Sequence, residues 1–309
     1  MTMIKVSTSI FSKIKTVKRA LEKAQRGDQL LLAGGKYKEA ITIHEHVTIR
    51  GHMTNPVLYE GVMNIPKSGQ VTIENIAFFP TMHMIVEGEV TFHNCTFNGL
   101  LTNVIVSVNG GEATFENCTI SNATEVGIAL IDQSHATFNH CTFDNNEKVH
   151  LLLESSTVEI NNSEFSNAGH AIWAKKKSQV ITENVKIHHH TGTQVVLQNE
   201  CTLTDCGSTI EQGEGNGIYA TEHASVSLTK TTVQHHQLPQ LWIQKSKFQL
   251  DQCQIQHGHE SGLMLREYAE GTVSNTLFAS HNIANVQLTK ESLLHMTDCQ
   301  IVRCKGVGI

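Results

Sequence analysis

"VTFHNCTFNG" at residues 90–99 returns as "ATFENCTISN" at 113–122 and as "ATFNHCTFDN" at 136–145. A phrase recurring at a fixed period of roughly 20–50 residues marks a repeat architecture, in which each unit buries its apolar face only by stacking on the next. Carried outward on this frame, turns begin at Val71, Val90, Ala113, Ala136, Val158, Val180, Cys201, Val226, Phe248, Gly271 and Leu294. The steps between them are 19, 23, 23, 22, 22, 21, 25, 22, 23 and 23. Apolar and polar positions alternate within each unit, as at Phe92, Cys95 and Phe97 or Ile160, Ser163 and Phe165, which reads as two short strands joined by a bend. The bend residue is often Asn (Asn94, Asn117, Asn162, Asn184, Asn275), the side chain that best tolerates a left-handed backbone.

A third strand closes each unit: "GIALID" at 127–132, "HLLLES" at 150–155, "GIYATE" at 217–222, "LWIQKS" at 241–246 and "GLMLRE" at 262–267. Three short strands per turn of about 22 residues describe an all-β, single-stranded parallel β-helix, whereas leucine-rich repeats need a Leu-x-x-Leu-x-Leu frame that is missing here. Coils stacked at about 4.8 Å predict a rod on the order of 50 Å long, with strand edges at its ends that need covering. At the N-terminal end, Ile14, Val17, Ala20, Leu21 and Ala24 share one helical face and Gly27 suits a C-terminal cap, so a capping α-helix is expected. Residues 1–70 then form the cap and first coils, and 71–309 the remaining coils of one continuous domain. Val307 and Ile309 read as the opening of an unfinished third strand, which predicts that the chain is part of a longer protein.

At 309 residues with 39% apolar content the chain has ample material for a core. No apolar run reaches the roughly 18 residues of a membrane span or the length of a signal peptide, so the expected location is cytoplasmic, without a membrane partner. Charge is uneven, with nine Lys/Arg against three Asp/Glu in residues 1–40 and 14 against 26 in the rest, which argues against a nucleic-acid-binding body.

The stretch "RALEKAQRGDQLLLAGGKYKEAITI...VTIRG" at 19–51 resembles the opening of pectin-lyase-like right-handed β-helix proteins, and "VTFHNCTF" with "GIALID" is similar to their coil repeat. The resemblance spans nearly the whole chain and implies a right-handed helix. Its functional implications range over lyases, hydrolases, epimerases, phage spikes and domains that only bind. None of the Asn-Thr-Asp, Asp-Asp, Gly-His-Gly or Arg-Ile-Lys motifs of polygalacturonase-like members is present, nor the Gly-Arg-Pro-Trp of pectin methylesterases, so no catalytic residue carries over.

Eight cysteines, at 95, 118, 141, 201, 206, 253, 299 and 304, include no CxxC pair and read as free thiols. Six of them (Cys95, Cys118, Cys141, Cys206, Cys253, Cys299) share an inward column with Ser163, Val185, Thr231 and Thr276, so small size is what the column keeps, and no metal is expected. The histidines of the turn after the second strand (His189, His190, His235, His236, His257, His259, His281) read as solvated polar loops, with Glu211 interrupting the row. Glycoside hydrolysis needs paired carboxylates; only the scattered Asp132, Glu154, Lys175 and Arg266 are on offer, so no catalytic set is assigned.

The third strand supplies the candidate binding site. Counting from inward pairs such as Ile218/Ala220 and Leu241/Ile243, the residues between face outward: Leu152, Trp173, Val196, Tyr219, Trp242 and Met264. A contiguous apolar line on six successive coils, holding both tryptophans of the chain, marks a binding surface. The expected role is a non-catalytic scaffold without cofactor, presenting this face to a protein partner or to the rest of its own chain. By resemblance to cytosolic β-helix repeats, that remainder could be an attached AAA+ ATPase of a secretion system. The alternative is a carbohydrate-active enzyme using the same face.

Overall fold

The structure, a computed structural model, describes residues 2–306 and 308; Val307 and Ile309 lie outside the described residues. The chain is an all-β parallel solenoid of about 13 turns with about 23 residues per coil. It divides into two compact units, Met1–Glu147 (unit 1) and Lys148–Ile309 (unit 2). In each unit successive coils contribute one strand to each of three parallel sheets.

In unit 1 the first sheet starts earlier than the sequence suggested. Met3–Val6 pairs in parallel with Gln29–Leu32, which pairs with His46–Gly51. The helix between them is only Val17–Leu21, burying Val17 and Ala20; Leu21, Ala24 and Ile14 are half-buried. Its first turn is held by Thr16, whose side chain accepts from the Arg19 N–H, and by the Glu39 carboxylate, which accepts from the N–H groups of Val17 and Lys18 at 2.7 and 2.9 Å. Gly27 is left-handed (φ 86), but its N–H goes to the carbonyl of His46 at 2.7 Å.

The quoted phrase stacks as expected, with Phe92 paired to Phe115 and Phe115 to Phe138. Their rings lie parallel with centroids 4.8 and 4.7 Å apart, close to the strand spacing, so like side chains fill the core by lying flat on one another. Asn75, Asn94, Asn117, Asn162, Asn184 and Asn275 all adopt positive φ at the first bend. The other two corners are left-handed as well, with single residues such as Asn122 and Asn145 at one and pairs such as Lys176–Lys177 and Asn199–Glu200 at the other.

One coil of unit 2 corrects the sequence frame. Leu203, not Cys201, pairs with Val180 and Val226, so the apparent steps of 21 and 25 become 23 and 23. Cys206 therefore leaves the inward column: it pairs with Glu183 and Thr229 and is exposed, and buried Ser208 takes its place. The shifted frame also hid a buried carboxylate. Asp205 is 3% exposed and points into the core, accepting from Thr182 Oγ1 at 2.6 Å and from the hydroxyls of Ser208 and Thr231. Three hydroxyl donors offset part of the cost of burying that polar group. The other column cysteines behave as filler: Cys95, Cys118, Cys141 and Cys253 are buried, Cys299 is half-buried, and none of the eight cysteines is in a disulfide. Burial pushes the Cys253 thiol up to about 11 and raises that of Cys201, which keeps both protonated.

The histidines after the second strand also overturn the expectation of solvated loops. His189, His235, His257 and His259 are exposed, but His190, His236 and His281 are buried beside the core. They belong to two alternating corner types. The segments "HTGTQ" (190–194), "HQLPQ" (236–240) and "HNIAN" (281–285) alternate with "GEGNG" (213–217) and "GHESG" (258–262). The imidazoles of His236 and His281 each slot against the two glycines of the coil before them, whereas His190 follows Ala168 and stands edge-on to His150 at 5.3 Å. A Cβ on Gly258 would lie 2.7 Å from His281 Cδ2 and 2.5 Å from Gln240 Nε2, and one on Gly262 would lie 2.7 Å from His281 Cε1. Gly258→Ala is therefore expected to cost about 1–3 kcal/mol by overpacking. A denaturant midpoint equal to wild type would show that the imidazole moves aside freely.

Candidate functional site

The third sheet of unit 2 contains Val149–Glu154, His170–Lys175, Val195–Leu197, Ile218–Ala220, Leu241–Gln244, Leu263–Arg266 and Val286–Leu288. Leu152 pairs with Trp173, Trp173 with Val196, Val196 with Tyr219, Tyr219 with Trp242 and Trp242 with Met264. Their chain neighbours, such as Leu151/Leu153 and Leu241/Ile243, are buried, so the six form one outer column. Five are half-buried. Val196 is the exception at 6% exposed, because it sits in register between the larger Trp173 and Tyr219 side chains.

A second outer column runs two residues further along each strand and is polar: Glu154, Lys175, Gln198, Thr221, Gln244 and Arg266. It is tied to the aromatic column. Trp173 Nε1 donates to Gln198 Oε1 at 2.9 Å, and the Tyr219 hydroxyl donates to Gln244 Oε1 at 3.2 Å. Lys175 Nζ stands 4.3 Å from the centre of the Trp173 ring and the Arg266 guanidinium 5.3 Å from that of Trp242. Tyr219 and Trp242 meet edge to face at 5.5 Å. These contacts fix the rings and place a cation beside each indole.

The scattered acids do not assemble into a catalytic pair. Glu154 is bound to Lys176 at 2.5 Å, and Asp132 lies exposed in a left-handed turn of unit 1. Glu267, at the edge of the face, accepts from Gln244 and lies near Lys290 and Lys245; these hydrogen bonds hold its carboxyl down to about 2, too acidic to serve as a proton donor.

Sequence reasoning missed His170. Its Nδ1 is 2.6 Å from the Thr193 carbonyl, which can only accept, so Nδ1 is the donor and Nε2 is the nitrogen left to meet another partner. The ring stands edge-on to Trp173 at 5.2 Å, in the space left by Gly192, whose added Cβ would meet it at 2.8 Å. The signal was present in "HAIWAK" (170–175), where His, Trp and Lys open and close one strand, but the strand bulges at Ala171 and so departs from simple alternation. Among the described residues no group of three or more His, Cys, Asp or Glu is placed to hold a metal ion.

Three parallel sheets wound from short strands with left-handed corners define a parallel β-helix protein. Residues 82–227 and 207–309 match the family described as the right handed beta helix region, and the chain belongs to that family, within the pectin-lyase-like superfamily. No curated protein matches it. Among solved structures it is similar to the catalytic domain of a GH87 α-1,3-glucanase in complex with nigerose, at 12% identity and a TM-score of 0.70, covering 99% of this chain and 69% of that one. It is similar to the periplasmic alginate epimerase AlgG at 11% identity and a TM-score of 0.64, covering 99% and 84%. It is also similar to the Dettilon tailspike protein at 8% identity and a TM-score of 0.62, covering 98% and 68%. At such identities these likenesses speak for the fold.

Proposed function

We propose that this protein is a carbohydrate-active β-helix domain that recognises a polysaccharide on the outer third-sheet face of unit 2. The observation that carries the reading is the in-register column of Trp173, Tyr219 and Trp242, edged by amides and cations. Aromatic rings stack on the apolar faces of sugar rings, and the flanking carboxamides of Gln198 and Gln244 suit hydroxyl groups. Lys175 and Arg266, beside the two indoles, favour a sugar that bears a carboxylate. The Nε2 of His170, next to Trp173 and on one strand with Lys175, is the group on this face best suited to take a proton from a sugar carbon whose carboxylate a cation neutralises. The named activities of the epimerase and the glucanase support carbohydrate over the protein partner expected from sequence.

Affinity electrophoresis through gels containing neutral or acidic polysaccharides tests the reading, alongside incubations scored for altered or cleaved polymer. Retardation by an acidic polymer is expected, with His170→Gln keeping the retardation and losing any turnover about a hundredfold or more. Retardation by none of the panel rejects the reading and returns the face to a protein partner.

A further inference from the structure

We infer that one edge of unit 1 docks on an anionic lipid bilayer through the loops at residues 7–16 and 52–56. Phe11, Met53 and Ile10 are 90%, 86% and 77% exposed, the highest values among the exposed large apolar side chains of the described residues. They share an edge because the strands that precede them are paired in register, Val6 to Leu32 and Leu32 to Gly51. The intervening coil turns tightly there through Gly34 and Gly35: a Cβ on Gly34 would meet Asn55 at 2.4 Å and one on Gly35 would meet Thr8 at 3.0 Å. The two longer loops thus flank a turn without side chains and project beyond it.

The first loop is built. The Ser7 N–H reaches the Ile14 carbonyl at 3.1 Å across its neck, and the Ser12 N–H reaches the Ser9 carbonyl at 3.0 Å at its tip, which holds Ile10 and Phe11 outward. Its charge is of one sign. Residues 1–21 hold Lys5, Lys13, Lys15, Lys18 and Arg19 and no Asp or Glu, in a protein of net charge −6, and residues 51–56 are free of acids too. Three apolar side chains set among cations match an anionic bilayer: the cations meet the headgroups while the apolar groups leave water below them. Such docking needs no membrane-spanning helix, and none is found among the described residues.

Cosedimentation of the whole protein with vesicles of phosphatidylcholine alone, or of phosphatidylcholine with phosphatidylserine, tests this. Wild type should pellet with the serine-containing vesicles at least tenfold more strongly than with phosphatidylcholine. The Ile10→Ser/Phe11→Ser/Met53→Ser variant should lose at least tenfold of that binding while melting as wild type does. Lys13→Gln/Lys15→Gln should lose most of the preference for phosphatidylserine. Absence of wild-type pelleting overturns the inference. So does undiminished pelleting of the triple serine variant, and if soluble polyaspartate competes that binding away, the edge belongs to an acidic protein instead. None of these readouts involves the third-sheet face of unit 2.

Discussion

Between pH 7 and about pH 4.5, unit 2 is expected to lose about 5 kcal/mol or more of stability, because His190, His236 and His281 are folded in as neutral imidazoles. Burial holds His190 down to about 2 and His236 down to about 4, and it lowers His281 as well. The geometry supplies the reason. The Nδ1 of His236 faces the carboxamide oxygen of Gln240 at 2.5 Å, and that of His281 faces the Asn285 oxygen at 2.7 Å, so Nδ1 is already the donor in each. Nε2 has no partner in either ring, and a second proton there would have no acceptor. Because these pKa values are depressed below the ordinary 6.5, the folded form is favoured fully above pH 6.5. As pH falls from there towards the folded pKa, only the unfolded chain takes up the protons. Each such histidine then costs about 1.4 kcal/mol per pH unit. Carboxylates do not own this window, since Glu267, held to about 2, adds its own loss only below its ordinary 4.5. Urea midpoints at the two pH values check the result, with His236→Gln expected to flatten the dependence. Equal midpoints would show that the rings are protonated in place.

The second large effect concerns Trp242. Trp242→Ala is expected to weaken polysaccharide binding by about 2 kcal/mol or more, roughly thirtyfold, since large aromatic side chains dominate binding surfaces. The fold should lose much less. Trp242 lies on the outer column, Leu241 and Ile243 carry the core on either side, and what is lost inside the protein is chiefly the edge-to-face contact with Tyr219, worth about 0.5–1.5 kcal/mol. Isothermal titration beside a thermal melt separates the two. A variant that binds as wild type removes the column from the site, and one that fails to fold shows the ring to be core.

The coil phrase made the fold legible because its period and its alternation agree: Phe92, Phe115 and Phe138 could be stacked on paper and are stacked in the protein. The frame failed where chemistry imitated the phrase. Cys201 and Cys206 lie five residues apart, as Val90 and Cys95 do, and drew the frame two residues off Leu203 and Ser208. The outer column was open to a one-residue slip on paper, because apolar runs such as Leu151–Leu153 do not alternate; burial of Leu151/Leu153 and Leu241/Ile243 places it outside. Burial of His190, His236 and His281 was not legible coil by coil. For His236 and His281 a polar corner reads as solvated unless the glycines that make room for the ring, one coil away, are read with it.

Those glycines give residues 190–285 a parity. Corners with a histidine and corners with a glycine pair follow one another like odd and even numbers, so the smallest segment that can be removed without mismatch is two coils. Deleting 213–235 would set the His190 corner against the His236 corner without the glycine pair that receives the His236 ring, whereas deleting 213–257 would set it against Gly258 and Gly262 and keep the order. The longer deletion is expected to fold with the higher urea midpoint of the two, although it removes more of the core. The reverse order would mean that the corners repack independently. If parity holds, chains of this architecture should grow and shrink by pairs of turns.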